Sequence, residues 1–435
     1  MMGTWKDLVT ASLIGTERSV VPAVGIPGLL PAEDDSGDPA AVLLDRAALL
    51  TAARRAGRRP DRAEPLPVCA PDPRPTVSPA AAHRLRRLIS GEHPDLLTEW
   101  LVAAVARGLR LPPQLLPALL DRARRGRPAD PGLPRLLAEA GGPRARWLAG
   151  LNPDWEHAVE EASTDDETWR LGDTRQRRGY LASLLTRDPD AGRVLITAGW
   201  AAAGAADRVM FVSVLADALG PADEPLLEAA LDDRAEDVRR WAAYLLARLP
   251  GSALGQRMAE RALRYVRVER TVQGPRLSIG TPRQPDAELQ RDGIAADPEP
   301  MRAPVESRNH VLLEILARTP LSTWTDRFGL TPAEIVALSS GGWAPVMFAG
   351  WSRAAIAQGN RDWISALLGR ALDSRPGTAA EIEALRQLAR RADPALGAPG
   401  ATPVSAGDPD APPAIRDAVR VLRFRYDMLK ELDDG

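Results

Sequence analysis

The sequence predicts an all-α protein built from stacked helical pairs, and three observations carry that prediction. Alanine, leucine and arginine dominate the 435 residues, while aromatic residues make up only 4%. Those three dominant types lose little rotamer freedom in a helix. Val238, Trp241, Ala242, Leu245, Leu246 and Leu249 recur at i, i+3, i+4, i+7, i+8 and i+11, the spacing of one apolar helical face. That segment echoes upstream at a constant 31 residues: Leu184, Leu215 and Leu246 fall in equivalent places, and Pro189, Gly220 and Gly251 close the three segments. Helices that cannot bury an apolar face alone do so by stacking on the next pair.

At the N-terminus Thr4 and Asp7 have capping-box spacing. Trp5, Leu8, Val9, Ser12 and Leu13 follow as a mostly apolar stripe that Gly15 stops. Residues 22–39 read as a loop, and a second helix over about 39–56 carries Val42, Leu43, Ala47 and Leu50. The proline-rich, charged stretch 57–79 forms an extended connector. Ser78-Pro79 supplies an N-cap and a first-turn proline for a helix bearing Leu85, Leu88 and Ile89. Short helices over 95–107, 113–124 and 133–140 follow, each marginal without neighbours. Residues 1–145 thus read as an irregular helical region and 146–267 as the regular repeats.

Within the repeats, Val238-Arg239-Arg240-Trp241-Ala242-Ala243-Tyr244-Leu245-Leu246-Ala247-Arg248-Leu249-Pro250 resembles the second helix of a HEAT repeat. The resemblance implies a HEAT-like α-solenoid with irregular helical ends, although 31 residues is shorter than the roughly 40 usual for such units. Arg239 and Arg240 fall off the apolar stripe and read either as braces for a neighbouring loop or as ligand contacts. The array is interrupted at 268–306. There Arg267–Val272 and Leu277–Ile279 flank Gln273-Gly274-Pro275 as a small β-hairpin, and the remainder, which holds Asp292, reads as an irregular insertion. Helices resume over 307–435. Thr331-Pro332-Ala333-Glu334 and Thr378–Glu381 carry capping-box spacing, 394–413 is a low-complexity linker, and a final helix over 413–432 caps the array.

Charge and chemistry narrow the function classes. Residues 1–150 hold 21 basic and 16 acidic side chains, a net of +5, against a chain total of −2. The clusters Arg54-Arg55, Arg58-Arg59, Arg84–Arg87 and Arg122–Arg125 account for much of that excess. They read as solvated helix faces and C-termini, with nucleic-acid binding as the sharper alternative. Cys69 is the single cysteine, and His83, His93, His157 and His310 are scattered, so neither a disulfide nor a spaced metal site is expected. No phosphate loop is present; Gly25-Ile26-Pro27-Gly28 lacks the necessary lysine. The acidic runs Glu160-Glu161, Asp165-Asp166-Glu167 and Asp232-Asp233 sit at expected helix ends, where capping explains them. No cofactor is expected, and catalysis survives only as a site hidden near 268–306 around Asp292. Tryptophan, at 11 residues, is the notable excess. Trp147 and Trp155 read as core anchors, or as lining for a concave binding surface. Without a membrane span or secretory core, a cytoplasmic location is expected.

Three stretches together resemble one uncharacterised bacterial family of helical proteins. Trp5–Arg18 is similar to its opening W-x2-L-V-x2-A-L-x-G-T-[DE]-R, with Ser12 in place of the alanine. Arg146–Trp155 is similar to W-L-A-x-L-N-P-x-W, and Arg291-Asp292-Gly293-Ile294 completes the set. The resemblance implies no activity. It implies an accessory or adaptor role, because such proteins are often encoded beside MoxR-type AAA ATPases, von Willebrand factor A proteins and SWIM zinc-finger proteins. The expected function is therefore a non-catalytic protein-binding scaffold, with an ATPase or von Willebrand factor A protein as partner. Candidate contacts are Trp5, Thr16, Arg18, Trp147, Trp155, Arg239, Arg240 and Asp292, with Thr16 and Arg18 presented by the turn that follows the first helix.

Overall fold

The computed structural model describes residues 5–24, 37–56, 66–125, 133–158, 166–272, 274–280, 282, 286–294, 304–339, 341–374, 377–402, 408 and 410–434. Thr4, Gly25–Gly28, Arg58-Arg59, Glu160-Glu161 and Asp165 lie outside these residues, as does most of the proline-rich part of the insertion. The chain divides into two compact units, 1–68 and 69–435. Both are helical, and one two-stranded antiparallel sheet accompanies them.

In the first unit α1 (Trp5–Ile14) and α2 (Pro39–Ala56) enclose a small core of Leu8, Val21 and Val24, on which Val42, Leu43, Ala47 and Leu50 pack. Arg46 is buried in α2 and donates to the Val21 and Pro22 carbonyls at 2.8 and 3.2 Å, which ties that dipeptide to the helix. The expected α1 stripe is corrected here. Leu8 and Ala11 face the core, whereas Trp5, Val9 and Leu13 are exposed, Leu13 at 82%. Ten mostly apolar residues fit more than one helical face, and α2 covers the face with the small alanine.

The second unit begins with α3 (Pro79–Ile89), α4 (Leu97–Ala106), α5 (Leu116–Arg124) and α6 (Leu133–Leu151). Ser78 caps α3 by accepting from the Ala81 amide, with Pro79 in the first turn. The chain in α6 kinks at Gly142, whose φ of 56° interrupts the helix just before Pro143. Then follow α7 (Asp166–Leu171), α8 (Thr174–Arg187), α9 (Pro189–Gly199), α10 (Ala205–Val214), α11 (Glu224–Ala230), α12 (Glu236–Leu246) and α13 (Ala253–Tyr265). The three segments aligned at 31 residues are α8, α10 and α12, and each touches the next. Within α12 Val238, Ala242, Leu245 and Leu246 are buried as the spacing predicts. Trp241 is not: it stands at the margin of the stripe and is 37% exposed.

The predicted hairpin exists. β1 (Val266–Thr271) pairs with β2 (Gly274–Ile279) from Val266↔Ile279 to Thr271↔Gly274. Within the remainder of the insertion, the described residues 286–294 include a helix, α14 (Ala287–Arg291), capped by Asp286, which accepts from the Leu289 amide. The chain then forms α15 (Pro304–Arg318), α16 (Ser322–Phe328), α17 (Pro332–Ala337), α18 (Ala344–Gln358), α19 (Arg361–Asp373), α20 (Ala379–Arg391) and α21 (Pro413–Asp433). Thr331 and Thr378 close full capping boxes with Glu334 and Glu381. Part of the expected 394–413 linker is instead a 3-10 turn, Pro394–Gly397, set tightly on α21. A Cβ on Gly397 would stand 2.0 Å from the Leu422 carbonyl oxygen, so only glycine permits this approach.

Two cores fill the second unit. The larger runs from Leu181 to Leu422 and includes Trp324, Trp351 and Trp363. The smaller joins residues 77–149 to Phe424, Met428 and Leu432. Helix α21 therefore gives its first half to one core and its second half to the other. Arg425, buried between them, makes a two-pronged contact with Glu99 and donates to the Ala389 and Ala392 carbonyls.

Candidate functional site

A dense polar cluster forms where α14 meets α11 and α13. The chain around Arg291-Asp292-Gly293-Ile294 puts Ile294 in the larger core and Asp292 at 1% exposure. A lone buried carboxylate is costly. Asp292 instead meets Arg257 of α13 at 2.8 Å, Arg261 of α13 at 2.5 Å and its neighbour Arg291 at 3.5 Å. Arg257 also holds Glu228 of α11 at 3.2 Å, and Arg261 holds Glu288 at 3.2 Å. Arg291 reaches Asp232 at 2.6 Å. The Arg291 hydrogen bond holds the Asp232 carboxyl below the usual carboxylate range.

Backbone geometry extends the cluster. Gly293 has φ of 79°, and a Cβ there would stand 2.6 Å from the Ala243 Cβ, so glycine lets the segment lie flat on α12. Its carbonyl accepts from Arg318 at 3.1 Å. Arg318 also pairs with Glu314, which Arg353 of α18 contacts at 2.7 Å. Burial alone would raise the Glu314 pKa, yet Arg318 and Arg353 outweigh it and keep the group below its ordinary value. Carboxylates and guanidinium groups thus alternate across α11, α13, α14, α15 and α18.

Asp292 Oδ1 accepts from Arg257, and Oδ2 accepts from both Arg257 and Arg261, so the carboxylate is held by two arginines of α13. Among the described residues no group of three or more histidine, cysteine, aspartate or glutamate side chains is placed to hold a metal ion.

The other candidate residues are dispersed. Arg239 donates to the Asp233 and Arg234 carbonyls at 2.8 and 3.1 Å, and its own carbonyl lies beside Gly293. It continues a series at 31-residue steps: Arg177 meets Asp207 at 3.3 Å and Arg208 meets Asp233 at 2.7 Å. Arg240 is exposed and pairs with Glu236 and Asp237 on its own helix. Trp155 packs on the smaller core and donates through Nε1 to Asp121 at 2.9 Å, while Trp147 is half-buried on α6. In the first unit Trp5 and Arg18 are exposed and Thr16 half-buried, at a turn where Gly15 adopts φ of 96°. The basic clusters are largely engaged: Arg84 pairs with Glu431 at 2.5 Å, Arg87 with Glu92 at 2.5 Å, and Arg122 and Arg125 donate to carbonyls.

A family model described as a family of unknown function (DUF5691) matches residues 7–393. The chain belongs to that family. No curated protein and no solved structure matches it. The stretch of this DUF5691 chain that matches takes in the whole Asp292 cluster and ends before α21.

Sequence reasoning did not find two features of the repeats. Trp241 and Tyr244 form an exposed edge-to-face pair, with ring centroids 5.8 Å apart and planes at 88°. Arg178, half-buried on α8, donates to Ser213 Oγ on α10 at 2.8 Å and has no carboxylate within 4 Å among the described residues. Alignment at 31 residues was the available signal, since it puts Ser213 and Tyr244 at one equivalent position.

Proposed function

We propose that the chain is a non-catalytic protein-binding scaffold built on a HEAT-like α-solenoid. The exposed Trp241–Tyr244 pair carries this reading. Large aromatic rings left in water on a helix that otherwise buries its apolar residues are the kind of group that anchors protein interfaces. The arginines at 177, 208 and 239 favour the solenoid, because each reaches a carboxylate or loop carbonyl in or beside the adjoining segment. The charge-balanced ion lattice at Asp292 favours a brace over a reaction centre there.

The partner we propose is a MoxR-type AAA ATPase or a von Willebrand factor A protein, in the cytoplasm. Its basis is the resemblance at Trp5–Arg18 and Arg146–Trp155. None of the helices among the described residues is long and apolar enough to cross a membrane, which is compatible with that location. The test is capture on the immobilised chain from a native lysate. A stoichiometric ATPase or von Willebrand factor A protein is the expected result, and recovery of no stoichiometric protein under several salt conditions would refute the scaffold.

A further inference from the structure

The 31-residue register places one row of each repeat helix side by side. On α12 that row is Asp237, Arg240, Trp241 and Tyr244, continued just past the helix by Arg248, all at least partly exposed. On α10 the equivalent positions hold Ala206, Val209, the buried Met210 and Ser213, with the exposed Asp217 just past the helix, and on α8 they include Arg178, Gly179, Ala182 and Thr186. Two contacts support the alignment. Arg178 crosses from α8 to Ser213 on α10, and Arg248, just past α12, donates to the carbonyl of Ala216, just past α10, at 3.3 Å. The three helices therefore present a low floor on α8 and α10 beside an aromatic wall on α12.

The charges on this surface are unevenly satisfied. Arg240 is neutralised by Glu236 and Asp237. Arg178 has Ser213 Oγ as its hydrogen-bond partner and no carboxylate within 4 Å among the described residues. Burial, opposed only by the more distant Asp217, pushes its guanidinium below the ordinary arginine value. A half-buried guanidinium whose nearest carboxylate, Asp217, is too far for direct contact still has donors open to an anion, and a carboxylate matches its fork.

We propose that the face formed by α8, α10 and α12 docks an acidic protein segment, one carboxylate seating on Arg178 and an apolar side chain packing against Trp241 and Tyr244. This rests on the scaffold reading and names the partner's chemistry. Neighbouring packed helices lie about 8–10 Å apart. The Arg178 and Tyr244 subsites are thus separated by on the order of 10–20 Å, which an extended segment covers in about three to six residues at 3.3 Å each.

The test is selection of random peptides of about 12 residues, long enough to cross three adjacent helices, on the intact chain. It is followed by calorimetry of the consensus peptide on Arg178→Gln, Arg178→Lys and Trp241→Ser/Tyr244→Ser variants. The exposed aromatic pair can be replaced without opening the core, and circular dichroism checks the fold of each variant. Enrichment of Asp or Glu near a large apolar residue is expected. Binding about tenfold weaker is expected in Arg178→Gln, with partial rescue in Arg178→Lys and loss in the aromatic double variant. Failure to enrich peptides, enrichment of acid-free or basic ones, or affinities unchanged in the variants overturns the proposal. So does oligothymidylate binding that depends on Trp241 and Tyr244, which would assign the surface to single-stranded nucleic acid. Lysate capture of a stoichiometric partner that persists in the Arg178→Gln and aromatic double variants would leave the scaffold standing and remove this surface from it.

Discussion

Replacing Asp292 by asparagine tests the brace most directly, because the change keeps shape and removes one buried charge. In the native chain that charge faces Arg257 and Arg261 at 2.8 and 2.5 Å. Breaking a buried pair from one side costs about 3–5 kcal/mol when the orphaned charge stays dry. Here the cost is smaller. Arg257 keeps Glu228 and is 31% exposed, and Arg261 keeps a contact to the largely exposed Glu288. We expect about 2–3 kcal/mol, toward the lower end of what a buried pair yields. Urea titration followed by tryptophan fluorescence measures it as a lowered midpoint with little change in slope. Limited proteolysis should show earlier cutting within 286–294, the stretch that Asp292 and Gly293 anchor. A double-mutant cycle with Arg261→Gln should return a coupling of about 1 kcal/mol or more. An Asp292→Asn protein within about 0.5 kcal/mol of wild type, the range of ordinary surface changes, would show that water already screens the lattice.

Three further outcomes follow from the packing and the titrating groups. Gly397→Ala forces a Cβ to within 2.0 Å of the Leu422 carbonyl oxygen; it should cost about 1–3 kcal/mol and raise hydrogen exchange at 394–397, and an unchanged urea midpoint would refute the tight approach. His93 packs edge-on to Phe424, and burial lowers its pKa. On acidification the unfolded chain therefore takes up that proton first, so stability falls below about pH 6.5; His93→Phe should flatten that part of the urea-midpoint profile. Hydrogen bonds from Arg74, Arg87 and Arg291 lower the pKa values of Asp72, Glu92 and Asp232. Their contribution is full above about pH 4 and lost as pH falls through the lowered values, so Asp72→Asn should reduce the acid dependence, and a profile identical to wild type would count against the pair.

Local signals were legible in the sequence. Ser78-Pro79, Thr331–Glu334 and Thr378–Glu381 start helices because a side-chain oxygen and the first free amides are all such a cap requires. The hairpin and the 31-residue spacing of α8, α10 and α12 were legible for the same reason. Features that depend on distant partners were not. Asp292 read as a loop residue, because its partners Arg257 and Arg261 become neighbours only after α14 folds back. Arg84 read as part of a basic cluster, although Glu431 neutralises it from the far end of the chain. Periodicity also misjudged margins: Trp241 satisfies the apolar spacing on α12, yet that helix's neighbours cover only the face centred on Val238, Ala242 and Leu246.

Helix α21 has a consequence for how the protein is made. The core around residues 77–149 takes Phe424, Met428 and Leu432 as part of its wall, and Glu99 and Arg84 meet their arginine or carboxylate partners on that helix. A ribosome delivers α3–α6 well before α21, so these helices wait with an open apolar flank until α21 emerges. Contacts that bridge such separations close slowly, and exposed apolar surface invites association meanwhile. A nascent chain stalled before residue 413 should therefore engage chaperones through its 77–149 segment, and emergence of α21 should end that engagement.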